Sequence, residues 1–202
     1  MKNHIKFQHR HYITSLFLII FFISGCTHLY NQPLHEINLM PVNDKINLSV
    51  GLVMTDEFRN VKWEKKEIGD TFILPIGENL AHQTEQLMKR VFANSVVLEG
   101  VNPTQNTEIK YIMTPKVIFV EQSLGATAFS NAILSIIVEW KLTDPKGKAV
   151  WQETVKGVGT GQTGNIVTGG ANMEKRFKMA LQDLFEKTQE AILSSDSLRN
   201  IT

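Results

Sequence analysis

Residues 132–160 read AILSIIVEWKLTDPKGKAVWQETVKGVGT, and this stretch decides the fold. β-branched and aromatic residues crowd positions 132–143, where they suit a pleated, half-buried surface better than a helix. Asp144-Pro145-Lys146-Gly147 then puts proline and glycine where a tight turn requires them. Positions 149–160 form strand again, so the whole stretch is an antiparallel hairpin. Its second half ends in Gly157, Gly159 and Gly161, which allow a strand to twist or bulge before a flexible connection.

The hairpin is followed by an amphipathic helix over 172–193. Met173, Phe177, Ala180, Leu181, Leu184, Phe185, Thr188 and Ala191 fall on one stripe of it. Before the hairpin, 108–122 is extended, and Pro115 inside it points to an edge position or a bulge. VNPTQNT at 101–107 is turn-like, and 96–98 is a short strand. A second amphipathic helix is predicted over 78–94, with Leu80, Thr84, Leu87, Val91 and Phe92 on one face. Its acid lies at the start and its bases near the end, as the helix dipole favours. Residues 71–74 make a short strand stopped by Pro75, and the charged run 58–70 reads as a loop or ragged edge. Ile46, Leu48, Val50, Leu52 and Met54 alternate with smaller or polar residues, a strand with one buried face. Strands joined by hairpins, with two helices, indicate an α+β fold: two layers, a mostly antiparallel sheet and both amphipathic helices on one face. About 155 residues suffice to bury a core without disulfides.

The first 25 residues are organised differently. Residues 1–11 hold Lys2, Lys6 and Arg10 and no acid, 12–23 are almost continuously apolar, and Ser24-Gly25-Cys26 follows. About a dozen apolar residues make a signal-peptide core, short of the roughly 20 that span a bilayer. Ile23-Ser24-Gly25-Cys26 resembles the lipobox of bacterial lipoproteins, which implies cleavage between Gly25 and Cys26 and a lipid on the Cys26 thiol. Cys26 is the sole cysteine of the chain, so an intrachain disulfide is impossible. By similarity to enterobacterial sorting, Thr27 in place of Asp implies the outer membrane, on its periplasmic face. The expected organisation is therefore a signal peptide at 1–25, a lipidated N-terminus and tether at 26–44, a single domain at 45–195 and a tail at 196–202. With Pro33, Pro41 and four Asn or Gln residues, 27–44 reads equally as a tether reaching about 60 Å or as a strap packed on the domain.

Residues 26–202 carry 18 basic against 20 acidic side chains, which excludes the clustered positive charge of nucleic-acid binding. Gly159-Thr160-Gly161-Gln162-Thr163-Gly164 matches the dinucleotide fingerprint in form only. A pyrophosphate needs the third glycine at a helix start, and here the helix begins eight residues later. The histidines left after cleavage, His28, His35 and His82, have no metal-ligand spacing, and no serine sits in a nucleophile elbow. No catalytic residue, metal or cofactor is expected. Contact surfaces remain. Leu124 and Phe129 lie in a small-residue segment between two strands, where they would either enter a partner's groove or pack on their own domain. Trp63 sits among Arg59, Lys62, Lys65 and Lys66, a set that suits lipid headgroups or an anionic polymer, although Glu57, Glu64 and Glu67 equally fit a plain solvated edge.

These features together resemble the YajG-type lipoproteins, and more loosely the lipopolysaccharide-assembly lipoprotein family. The resemblance lies in NLSVGLVM, LAHQTEQLMKRVF running into VVLEG, YIMTPKVIFVEQ, the hairpin and the closing helix. It implies a two-layer fold and a non-enzymatic envelope role as a binding or assembly accessory, with Cys26 as the one residue whose role carries over. The implied partners are membrane lipid, through acylated Cys26, and another envelope protein. An auxiliary lipoprotein of an envelope lipid transporter is the alternative, and a cell-wall enzyme a more distant one.

Overall fold

The computed structural model describes residues 26–29, 34–67, 70–99, 109–124, 130–162 and 169–201. In chain order the elements are β1 (Cys26–Leu29), β2 (Ile46–Leu52), α1 (Asp56–Arg59), β3 (Lys62–Glu67), β4 (Asp70–Pro75), α2 (Gly77–Val91), β5 (Phe92–Val97), β6 (Tyr111–Ser123), β7 (Asn131–Thr143), β8 (Ala149–Gln162), α3 (Gly169–Leu193) and α4 (Asp196–Arg199). The expected hairpin is β7–β8, paired antiparallel from Asn131 opposite Gln162 to Thr143 opposite Ala149. Asp144 organises its turn: Oδ1 accepts from the N–H groups of Lys146 and Lys148, both at 2.9 Å. Gly147 sits at φ +79°, where a side chain would be strained.

One sheet has the order β5-β2-β6-β7-β8. The long strands β6, β7 and β8 pair antiparallel, which makes the sheet largely antiparallel. The short β2 runs parallel to both neighbours, because α2 carries the chain back before β5 begins. The ladder between β2 and β6 ends at Met113, so Pro115 lies where that side of β6 is already an edge and needs no N–H.

The alternation of β7 drives the packing. Ala132, Leu134, Ile136, Val138, Trp140 and Leu142 are fully buried on one face, and Trp140 meets Phe185 of α3 edge-on at 6.1 Å. Helices α2 and α3 lie together on that face. Met173, Phe177, Ala180, Leu181, Leu184, Phe185 and Thr188 of the expected stripe are all buried. Gly157 and Gly159 have a specific purpose: a Cβ at either would collide with α3 backbone, the carbonyl oxygens of Ala180 and Arg176 respectively. The glycines are there so the helix can rest on the strand, rather than for a twist or bulge. Helix α3 also covers the outer edge of β8. Asp183 Oδ2 accepts from Val158 N–H at 2.8 Å, and Lys187 Nζ donates to the Lys156 carbonyl at 3.3 Å. The two side chains pair with each other at 2.6 Å. At Lys156 and Val158 the edge groups are thereby taken up and not offered to a further strand.

Four sequence expectations need correction. Helix α2 stops at Val91 rather than 94, because Phe92 turns extended (φ −104°, ψ 149°) and opens β5 while remaining buried. Asn94 and Ser95 beyond it favour other backbone partners over a helix. The charged run 58–70 takes in the end of α1, a helix capped by Thr55 Oγ1 accepting from Phe58 N–H at 3.2 Å, and then β3. The residues also do not form one unit over 45–195. The described part of Met1–Asn31 with Glu64–Leu74 is one compact unit, and Gln32–Trp63 with Pro75–Thr202 is another. The reason is that β4 takes β1 as its parallel partner, Cys26 opposite Asp70 and Leu29 opposite Ile73, in a separate sheet of order β1-β4-β3. Finally, the tail expected at 196–202 contains α4, whose Leu198 is fully buried and whose Arg199 donates to the Leu193 carbonyl.

Of the two readings of 27–44, the strap holds from Leu34 onward. His35 and Leu39 are buried, the His35 ring packs edge-on against Phe177 at 5.7 Å, and Arg90 Nη1 donates to the Leu39 carbonyl at 2.7 Å. Burial pushes the His35 imidazole below its ordinary value; Glu174 pulls it up and Lys178 pushes it down. With the folded-state pKa depressed, the unfolded chain binds the proton first, so stability declines as pH falls from about 6.5 towards the folded pKa. The expected NMR titration midpoint of His35 lies below that of a free imidazole. A midpoint at or above the free value would mean the ring is not buried here.

Candidate functional site

The face of the five-stranded sheet opposite the helices is shaped by one irregularity. Val117 pairs with Val138, but the next pair is Phe119 with Ile137, so Ile118 is an extra residue in a β-bulge. Before the bulge, odd-numbered residues of β6 point toward the helices, and Met113 and Pro115 are buried. Inserting one residue flips every side chain that follows. Val120 and Gln122, paired with Ile136 and Leu134, now face the core side. Phe119, Glu121 and Ser123 face outward, beside Ile137, Ser135 and Ile133.

The result is an apolar surface at the far end of β6 and β7. Ile118 is 50% exposed, Phe119 47% and Ile133 40%. At β2 the outward side is covered instead: a Cβ on Gly51 would meet the side chains of Leu98, Ile109 and Ile112. Large apolar side chains left exposed together mark contact surfaces in soluble proteins. The polar groups among them, Glu121 and Ser123, give a rim that keeps the free face in water.

The expected site residues are placed as follows. Leu124 is 41% exposed just beyond the end of β6, while Phe129 lies outside the described residues. Trp63 is half-buried on β3 between exposed Lys62 and Glu64. The basic cluster around it is divided, since Arg59 lies on α1 with Nε donating to the Met54 carbonyl at 3.3 Å, and Lys66 pairs with Glu64 at 3.5 Å. Cys26 begins β1, and Gly25 lies outside the described residues. Gly159-Thr160-Gly161 is strand rather than phosphate loop, and Gly164 also lies outside them.

Among the described residues no group of three His, Cys, Asp or Glu side chains is placed to hold a metal ion, and no helix is long and apolar enough to cross a membrane. A surface cleft of about 430 Å³ is lined by Arg59, Glu78, His82 and Glu85 beside Leu34 and Met54. The two glutamates and the histidine share one face of α2, at helical spacing.

No family model matches the chain, and no curated protein matches it. Among solved structures, protein XCC0632 from Xanthomonas campestris, of family DUF330, is similar at 10% identity with a TM-score of 0.52, covering 82% of this chain and 95% of that one. A minor lipoprotein from Acinetobacter baumannii is similar at 11% identity with a TM-score of 0.47, covering 74% and 92%. At such identities the first of these likenesses is one of fold alone.

Proposed function

We propose that this chain is an envelope lipoprotein of the YajG type, cut before Cys26, acylated on that thiol and held at the periplasmic face of the outer membrane. It acts without catalysis, as a binding or assembly accessory. The basic, apolar and small-residue succession of 1–26 supports the anchor. One observation carries the binding role: a β-bulge turns Phe119 out of the core and into an apolar surface. A sheet that only needed to fold would have left that ring inside, so the exposed ring is explained by a partner that covers it. The partner is a second envelope protein with an apolar groove or face.

Photo-crosslinking in intact cells tests this. A benzophenone side chain at position 119 or 133 is expected to give one discrete adduct, and the same group at Lys146 in the distant turn to give none. Phe119→Ser is expected to shift stability by no more than about 0.5 kcal/mol, as at an exposed site, yet to remove the adduct formed from position 133. Equal adducts from Lys146, or an adduct indifferent to Phe119→Ser, would end the assignment of this face.

A further inference from the structure

The strap is held chiefly through its main chain. Asn79 Oδ1 accepts from His35 N–H at 2.8 Å, and Gln83 Nε2 donates to the His35 carbonyl. Gln182 Oε1 accepts from Asn38 N–H at 2.9 Å while its Nε2 donates to the Asn38 carbonyl at 2.7 Å. Gln189 does the same for Met40, at 2.9 and 2.8 Å. At positions 35, 38 and 40, amide side chains thus present the donor and acceptor that a neighbouring strand would present. The spacing makes this possible: Asn79 and Gln83 are one turn apart on α2, and Gln182 and Gln189 two turns apart on α3. With the strap in place Asn79, Gln83 and Gln189 are 1%, 3% and 0% exposed, so the bonds they make to its main chain are shielded from water. Of the strap's side chains His35 and Leu39 are buried and Ile37 is half-buried, whereas Leu34, Glu36, Asn38 and Met40 are exposed.

We propose that the groove between α2 and α3 is a binding site for an extended peptide, filled in cis by residues 35–40.

The test uses the full chain and, as probe, a fluorescent synthetic peptide with the sequence of residues 34–42. Leu39→Asp with Met40→Pro weakens the resident strap, removing its buried leucine and the N–H that Gln189 accepts. This variant is expected to bind the probe saturably, at least tenfold more tightly than the unaltered chain, whose groove is filled. Adding Gln182→Leu and Gln189→Leu is expected to abolish binding, while hydrogen exchange in β6, β7 and β8 shows the sheet intact. Binding that survives loss of the glutamines, equal binding to the unaltered chain, or no binding to the folded strap variant would each overturn the site.

Discussion

The Cys26→Ala protein is expected to accumulate as a full-length precursor, to incorporate no labelled palmitate and to lose stable attachment to lipid. A thiolate is a far better nucleophile than a hydroxyl at this task, so Cys26→Ser is expected to behave like Cys26→Ala. The size of the effect follows from the anchor. Each buried methylene contributes about 0.8 kcal/mol, so two acyl chains hold on the order of 20 kcal/mol where a bare N-terminus holds almost none. Cys26 is the chain's only cysteine, so no second thiol can substitute. Palmitate labelling and detergent-phase partitioning read the outcome together. Processing to the mature size with extraction only by detergent, in either variant, would contradict the anchor.

Gly159→Ala is expected to be among the most destabilising single substitutions in the fold. The added methyl falls on the Arg176 carbonyl oxygen and lies 2.8 Å from the Ala180 nitrogen, both of them α3 backbone. No rotamer change relieves such a clash, so α3 must lift from β8 and strain the bond between Val158 and Asp183. A cost of about 3 kcal/mol is expected, at the upper end for overpacking. Gly161→Ala is the matched control. Its new methyl meets Arg176 Cγ at 3.2 Å, the stem of a side chain that can shift, and about 1 kcal/mol or less is expected. Urea midpoints at constant m measure both. Equal costs at the two positions would mean that α3 does not rest on the strand at Gly159.

Much of the fold was legible in the sequence, and the misses have physical reasons. The hairpin, both long helices and the strand at 46–52 announce themselves because their buried faces recur with the right period. β3 escaped because Lys62-Trp63-Glu64-Lys65-Lys66-Glu67 carries no apolar alternation, so only its neighbours in the small sheet reveal it. The purpose of the β8 glycines escaped because a helix twenty residues later has to be placed before their lack of a side chain explains anything. Asn79, Gln83, Gln182 and Gln189 lie outside the apolar stripes of their helices, and nothing local shows that an amide will meet a distant main chain.

The candidate contact surface was not the one the sequence pointed to. Leu124 and Phe129 were singled out beforehand, and Ile118, Phe119 and Ile133 were not. The sign was present in Val117-Ile118-Phe119-Val120, an apolar run in which strict alternation would bury two residues and expose two. A bulge resolves that run by moving the register, and register belongs to the pairing with β7 rather than to β6 alone. The anchor is the opposite case. It is proposed from the order of residues 1–26 alone, because export and lipidation would act on an extended chain before any fold exists.

The most direct test of the account is the N-terminus of the protein isolated from the membranes of cells that make it. Intact-mass analysis is expected to find a chain beginning at Cys26, heavier than its polypeptide by a diacylglyceryl group on sulfur, with no sulfhydryl that reacts with maleimide. A chain retaining residues 1–25, or one whose Cys26 thiol is free, would contradict it.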